Sequence, residues 1–266
     1  MTEYRSLILQ ELAKIEREEN VRILFACESG SRAWGFPSLD SDYDVRFVYI
    51  RPVEWYLSIS DQRDVIERPI NNMLDINGWD LRKALQLFRK SNPPLLEWLR
   101  SPISYRETYR VAEQMRRLAP LTYSPKSCMY HYLNMAKGNE RDYLRGERVR
   151  VKKYFYVLRP ILACEWIEKK GSIPPMEFDA LVEAILPRDA ELYETIQNLL
   201  VRKRSGEELD VEPRIQVIHE YVEEKLAHFD RLTGSFLQGH DVTGQLDRLF
   251  RTALQEAWST PLLLNE

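Results

Sequence analysis

Two acidic residues spaced by one, Asp42 and Asp44, head the run Ser41-Asp42-Tyr43-Asp44-Val45-Arg46-Phe47-Val48-Tyr49-Ile50. The residues after Asp44 are mostly Val, Phe, Tyr and Ile, so the run reads as a β-strand whose period of two puts both carboxylates on one face. They lie about 7 Å apart along such a strand. At roughly 4 to 5 Å between oxygens and an effective dielectric near 20, their repulsion is on the order of 4 kcal/mol, and a cation belongs above that face. A hard divalent ion, Mg2+ or Mn2+, suits it, because such ions take oxygen ligands from one or two carboxylates plus substrate phosphates. Just upstream stands Gly30-Ser31-Arg32-Ala33-Trp34-Gly35. A Gly-Ser turn that leads into a helix presents bare backbone N–H groups and a hydroxyl to phosphate oxygens. A phosphate-cradling turn beside a metal-holding strand is the layout of nucleotidyl transfer.

The string Glu28-Ser29-Gly30-Ser31-Arg32-Ala33-Trp34-Gly35-Phe36, followed by Ser41-Asp42-Tyr43-Asp44-Val45-Arg46, resembles the nucleotidyltransferases related to DNA polymerase beta. Three further segments are similar to one branch of them, the RNA-repair-pathway DNA polymerase beta family: Asp75-Ile76-Asn77-Gly78-Trp79-Asp80-Leu81-Arg82-Lys83, Ser91-Asn92-Pro93-Pro94-Leu95-Leu96-Glu97-Trp98-Leu99 and Lys152-Lys153-Tyr154-Phe155-Tyr156-Val157-Leu158-Arg159-Pro160. The resemblance implies an enzyme that moves a nucleoside monophosphate from a nucleoside triphosphate to an acceptor hydroxyl with Mg2+ or Mn2+. It favours an RNA end as acceptor, with a protein or a small molecule as alternatives. A module that binds nucleotide or RNA without turnover is the competing class, but the complete acidic set favours catalysis.

Phosphoryl chemistry of this kind calls for a third carboxylate, which completes the metal ligation and takes the proton of the attacking hydroxyl. Asp75, between Leu74 and Ile76 on a plausible strand, matches the superfamily's apolar-Asp-apolar pattern. Asp80 precedes an apolar-periodic helix, where a carboxylate caps exposed N–H groups and meets the positive end of the dipole. Asp42, Asp44 and Asp75 are therefore the expected catalytic and metal-holding acids. Glu28 has no role fixed by spacing, and an ion pair with Arg32 or Arg46 would explain it.

Rival chemistries find less support. Asp40-Ser41-Asp42-Tyr43-Asp44 opens like an EF-hand loop, but Val45 and Arg51 stand where that loop needs Gly and a bidentate Glu. Asp40 reads as a turn residue. His131, His219, His228 and His240 lack zinc-site spacing and read as surface residues. Ser31 lacks the Gly-x-Ser-x-Gly elbow of a hydrolase.

From Lys137 to Arg159 eight basic residues face three acids, a local charge of +5. Tyr132, Tyr143, Tyr154 and Tyr156 interleave with them as stacking partners would. Lys152, Lys153, Tyr156 and Arg159 fall within about two helical turns, so one lysine shares a face with Tyr156 and Arg159. In related enzymes the helical half supplies a lysine to the triphosphate. Gly30, Ser31, Arg32, Lys152, Lys153, Tyr156 and Arg159 are accordingly the expected nucleotide-binding residues. The triplet Arg202-Lys203-Arg204, followed by Glu207-Glu208, reads as a solvated linker between helices over 201–213.

These groups need a scaffold. Leu7, Ile8, Leu12 and Ile15 recur at helical spacing over 2–19, and Val21–Cys27 is a short apolar strand. Arg32–Phe36 begins a brief helix, Asp42–Arg51 forms the second strand, and Trp55-Tyr56-Leu57 opens a loop-rich excursion. Asp64–Arg68 and Asn71–Ile76 read as strands about a turn at Asn71-Asn72, and Asp80–Lys90 as a helix. From Pro94 the text is nearly all helical, cut at Pro102, Pro120, Pro125, Pro160, Pro174-Pro175, Pro187 and Pro213. The expected architecture is α/β: a mixed sheet with flanking helices as a catalytic domain over 1–110, then an all-helical nucleotide- and acceptor-binding domain over 111–266.

With 266 residues, 44% of them hydrophobic, the chain can build two modest cores. A net charge of −3 gives no global nucleic-acid footprint, so any polyanion must bind a local patch. Cys27, Cys128 and Cys164 are too scattered for disulfides or zinc and read as reduced, buried thiols. No signal core and no run of about 18 apolar residues occurs, which points to a cytoplasmic protein away from membranes.

The basic segment yields a two-sided test. If Lys152 or Lys153 meets the triphosphate, replacing the right one by Ala weakens nucleotide affinity by about 1.5 to 3 kcal/mol, roughly tenfold to a hundredfold. If the segment tracks an RNA backbone, loss of Arg141 or Arg145 lowers the slope of log affinity against log salt by about one unit per phosphate contact, with nucleotide binding untouched. Titrations of all four single mutants across a salt series separate the two.

Overall fold

The structure, a computed structural model, describes residues 2–38, 41–70, 73–206, 210–232 and 239–258. Asp40, Asn71-Asn72 and Glu207-Glu208, expected in turns and a linker, lie outside the described residues. The stripe Ile8, Leu12 and Ile15 is fully buried, and it docks α1 (Thr2–Glu19) on one face of a sheet. That sheet contains β1 (Arg22–Ser29), β2 (Tyr43–Ile50), β3 (Val65–Glu67), β4 (Leu74–Asp80) and β5 (Ser104–Glu107), in the order β3-β4-β2-β1-β5. β2 and β4 run parallel at the centre, and the other pairs are antiparallel. The mixed α/β sheet expected from the sequence is thus present.

Alternation along β2 divides its residues between two environments. Val45, Phe47 and Tyr49 face the α1 side, whereas Val48 and Ile50 join the core beneath the helices. Asp44 and Arg46 share the second face by the same period, nearer the start of the strand. One strand therefore carries core at one end and chemistry at the other.

Short helices punctuate the sheet: α2 (Gly30–Trp34), α3 (Val53–Tyr56), α4 (Leu81–Arg89) and α5 (Pro93–Leu99). Asp80 caps α4 as expected, its carboxylate accepting the Arg82 N–H at 2.8 Å and the Tyr56 hydroxyl at 2.6 Å. Burial pushes its pKa up to about 6 in spite of those bonds. The helical half follows with α6 (Val111–Thr122), α7 (Pro125–Tyr143), α8 (Lys153–Lys170), α9 (Phe178–Ile185), α10 (Glu191–Arg204), α11 (Gln216–Arg231) and α12 (Thr243–Trp258), together with β6 (Arg148–Arg150) paired to β7 (Val211–Pro213). None of the described helices is long and apolar enough to cross a membrane.

Several local expectations are corrected. The chain after Pro94 is not purely helical, because β5 returns to pair with β1, and β6 and β7 form a second small sheet. Pro120 and Pro160 lie inside α6 and α8 instead of ending them. Pro160 cannot donate to the Tyr156 carbonyl four residues back, and Asn139 Nδ2 of α7 donates to that carbonyl at 2.8 Å instead. The basic interval 137–159 is not one helix; it runs through the end of α7, β6 and the start of α8. Tyr132 and Tyr154 are core residues, with Tyr154 bonded to His219 Nε2 at 3.1 Å. His219 is therefore buried and not on the surface. The three cysteines are free and buried, as expected.

The triplet Arg202-Lys203-Arg204 is likewise no solvated linker. It ends α10, where Arg202 pairs with Glu212, Lys203 Nζ reaches Ser38 Oγ at 3.4 Å, and Arg204 binds the Gly35 carbonyl at 3.0 Å and pairs with Asp179. Among the described residues, its acid partners are Glu212 for Arg202 and Asp179 for Arg204.

Gly78 shows how tightly the central strands meet. A Cβ there would fall 2.2 Å from the ring of Phe47, its register partner on β2. Gly78→Ala should cost about 1 to 3 kcal/mol by overpacking and lower the melting temperature by roughly 3 to 10 °C. Adding Phe47→Leu should recover part of that loss in the same thermal scan.

Candidate active site

The parallel register of β2 and β4 pairs Asp44 with Asp75. The Arg46 guanidinium bridges them, with one Nη 3.2 Å from Asp44 Oδ1 and 2.7 Å from Asp75 Oδ2, and the other donating to the Asp75 carbonyl at 2.9 Å. Burial raises the Asp44 pKa to about 6; Arg46 opposes that shift, while Asp75 and then Asp42 add to it. Asp42, one residue before β2, is exposed, and its carbonyl accepts from Arg32 Nε at 3.1 Å. Among the described residues no group of three acids, histidines or cysteines stands ready to hold a metal ion. Of the three acids expected from the sequence, Asp44 and Asp75 converge on the Arg46 guanidinium, and Asp42 is near enough for its charge to raise the Asp44 pKa.

Backbone placement of Asp44 is fixed from below and beside. Glu28 is fully buried on the opposite face of β1, where its carboxylate accepts the Asp44 N–H at 2.8 Å and the Tyr105 hydroxyl. Its bonds go to these groups and not to Arg32 or Arg46. Burial pushes its pKa up to about 7 despite both donors. Gly30 has φ +64, and a Cβ there would lie 2.1 Å from Asp44 Oδ2. Only glycine combines that backbone with that approach.

The remaining sequence-predicted residues divide into two groups. Arg32 is tied down: it binds the Ser41 carbonyl at 2.6 Å and stacks 3.8 Å over the Tyr43 ring, fixing the start of β2. Arg159 is buried in a pair with Glu97 at 3.0 Å, with its charge 4.7 Å over the Trp34 ring. Tyr156 is 38% exposed and close enough to Asp44 and Asp42 that, after burial, their charges raise its pKa. Lys153 lies 4.0 Å from the Tyr143 ring and 4.9 Å from that of Tyr156, while Lys152 is exposed at the helix cap. Ser31 lies in α2 beside Gly30. Tyr156, Arg159 and Arg46 line a pocket of about 250 Å³ with Ser29, Trp34, Glu97 and Asn139, which links the acidic edge to α5, α7 and α8.

The sequence profile of the RNA repair pathway DNA polymerase beta family, RlaP, matches residues 4–252. The chain belongs to that family. It is 53% identical over 252 residues to "Uncharacterized protein YcgL" of Bacillus subtilis (strain 168), covering 94% of this chain and 96% of that one. A crystal structure of a nucleotidyltransferase-like protein from Exiguobacterium sibiricum 255-15 aligns over 83% of this chain and 73% of that chain, with 15% identity and a TM-score of 0.33. Membership in the RlaP family makes this a nucleotidyltransferase-like protein.

Arg46, Trp34 and Glu97 line this candidate site and Tyr105 holds Glu28 beside it, yet none was among the site residues expected from the sequence. Arg46 had a usable signal, since the period of two sets it on the face of Asp42 and Asp44. Tyr105 and Glu97 had none, because only strand order and helix packing bring them there.

Glu28 carries a pH signature. The folded protein holds its proton more tightly than the unfolded chain, whose value is near 4.5 against about 7 when folded. Its stabilising contribution is therefore full below pH 4.5 and is lost as pH rises through 7, a change on the order of 3 kcal/mol. Urea titrations from pH 4.5 to 8.5 should show Glu28→Gln lacking this part of the wild-type decline.

Proposed function

We propose that this protein is a divalent-metal-dependent nucleotidyltransferase that moves a nucleoside monophosphate from a nucleoside triphosphate to an acceptor hydroxyl, an RNA end being the favoured acceptor. The observation that carries this is the register pairing of Asp44 with Asp75 beside the Gly30 turn. Two carboxylates, 27% and 28% exposed, are held together by Arg46, which lines the pocket, and Asp42 precedes them on the chain. Their oxygen donors fit a hard cation such as Mg2+ or Mn2+. A bound divalent ion would supply charge neutralisation at the phosphates and would acidify the acceptor hydroxyl.

The residues gathered at the site divide this chemistry among them. Asp42, Asp44 and Asp75 would hold the ion, and an Asp75 oxygen would take the proton of the acceptor hydroxyl. Gly30 and Ser31 offer backbone N–H groups and a hydroxyl to phosphate oxygens. Arg32 fixes the strand that carries the acids. Lys152 and Lys153, at the start of α8, are the cations for the triphosphate tail. Tyr156 offers a face for stacking, and Arg159 holds Glu97 and Trp34 in the pocket wall.

Incubation with each of the four α-labelled ribonucleoside triphosphates, Mg2+ and pooled cellular RNA should release pyrophosphate and label the RNA. Asp44→Asn and Asp75→Asn should each lower the rate by about 10³-fold, the order expected when a transition-state electrostatic contact is lost. Their melting temperatures in EDTA should stay level or rise, since a repelling charge is gone. Full transfer by either variant, or no transfer by the wild type to RNA, protein or small-molecule acceptors, would sink the assignment.

A further inference from the structure

The charge on the acidic edge does not balance. Asp44 and Asp75 together bring two negative charges, and among the described residues the one cation bridging their carboxylates is Arg46. The same Nη contacts both, 3.2 Å from Asp44 Oδ1 and 2.7 Å from Asp75 Oδ2, so a divalent ion seated between these two oxygens would have to displace it. A guanidinium and a metal ion cannot both occupy that gap.

Arg46 also lines the pocket bounded by Ser29, Trp34 and Tyr156. Among the described residues of that wall the one carboxylate, Glu97, is already engaged by Arg159 and Tyr132. A guanidinium that leaves the acids has no other carboxylate waiting there, so negative charge has to come with the ligand.

We propose that Arg46 is a place-holding cation: it occupies the Asp44–Asp75 gap in the free protein and, when metal and substrate enter, turns into the pocket to bind the substrate's phosphate charge. This rests on the nucleotidyltransferase reading of the same site. It makes Arg46 an antagonist of metal alone and a partner of metal plus phosphate. A simple cross-strand tie, which Arg46 also provides through the Val45 and Asp75 carbonyls at 3.1 and 2.9 Å, would not turn into the pocket, and its loss would leave tripolyphosphate affinity without the direct contact that the lysine variant partly restores.

The test measures binding, not turnover. Mn2+ affinity without substrate is read from the paramagnetic resonance of free Mn2+ for the wild type, Arg46→Met, Arg46→Lys and the Asp44→Asn/Arg46→Met double variant. Arg46→Met should bind Mn2+ at least about tenfold tighter than the wild type, because a competing unit charge is gone, and the double variant should lose that gain. At saturating Mn2+, the affinity of Arg46→Met for inorganic tripolyphosphate should be about tenfold weaker, because a charge-assisted contact is missing. Arg46→Lys, which keeps the charge but not the fork, should fall between the two in both measurements. Should Arg46→Met unfold, the lysine variant and the wild-type Arg46 Nε–H nuclear resonance decide: the resonance should shift when Mg2+ and tripolyphosphate are added together.

Unchanged or weaker Mn2+ binding in the Arg46 variants, or undiminished tripolyphosphate affinity, overturns the proposal. If the wild type still transfers nucleotide in an Asp44-dependent way, only the role of Arg46 falls. If no variant binds Mn2+ and the wild type transfers nothing, the parent assignment falls with it.

Discussion

Two carboxylates set at matching positions of adjacent parallel strands repel each other, and much of the surrounding structure serves to hold them there. Asp44 and Asp75 face each other because β2 and β4 are in register, and that register is fixed at its far end by apolar contacts such as Phe47 against Gly78. Hydrophobic packing thus holds two like charges within reach of one guanidinium. Burial compounds the cost by favouring the protonated form of Asp44.

The constraint propagates outward through a few contacts. Glu28 clamps the Asp44 backbone from the opposite face of the sheet and is itself held by Tyr105 on β5. Gly30 lets the turn close directly onto the carboxylate. The end of that turn is held in place by α10, through Lys203 on Ser38 and Arg204 on Gly35. The helical half therefore braces the Gly30 turn as well as supplying the opposite wall of the pocket. That wall is steadied by α8, a helix buried on nearly all sides, whose interior Pro160 is compensated by Asn139. Arg159, Glu97 and Tyr132 are paired below the surface, while Tyr156, 38% exposed, lines the pocket beside them.

Local features of the chain were legible before the fold was known. The stripe of α1, the strand carrying Asp44, the Asp80 cap and the turn at Gly30 follow from periodicity and from capping chemistry, which act over a few residues; Asp42, expected on that strand, falls one residue before it. Family resemblance added Asp75. Misreadings arose where a local rule met a distant partner. Pro160 looked like a helix end because the side chain that takes up the Tyr156 carbonyl lies on another helix. Arg202-Lys203-Arg204 looked solvated because its acceptors, Ser38, Gly35 and Asp179, lie far away in sequence. Tyr132 and Tyr154 looked like stacking partners because a tyrosine among basic residues gives no sign of which face the core will cover.

The sequence by itself determined which residues could do chemistry here and which element each rides on, because side-chain type and backbone period are short-range properties. Tertiary structure alone decided how their charges are shared. Arg46 bridges Asp44 and Asp75, Glu28 turns to a backbone N–H and Tyr105, and Arg159 withdraws to Glu97. Each of these pairings depends on strand order, parallel register and helix packing, which bring together groups that no local spacing relates. Electrostatic energy falls off with distance through space and not along the chain, so the partner of a buried charge is known only once the fold has placed it.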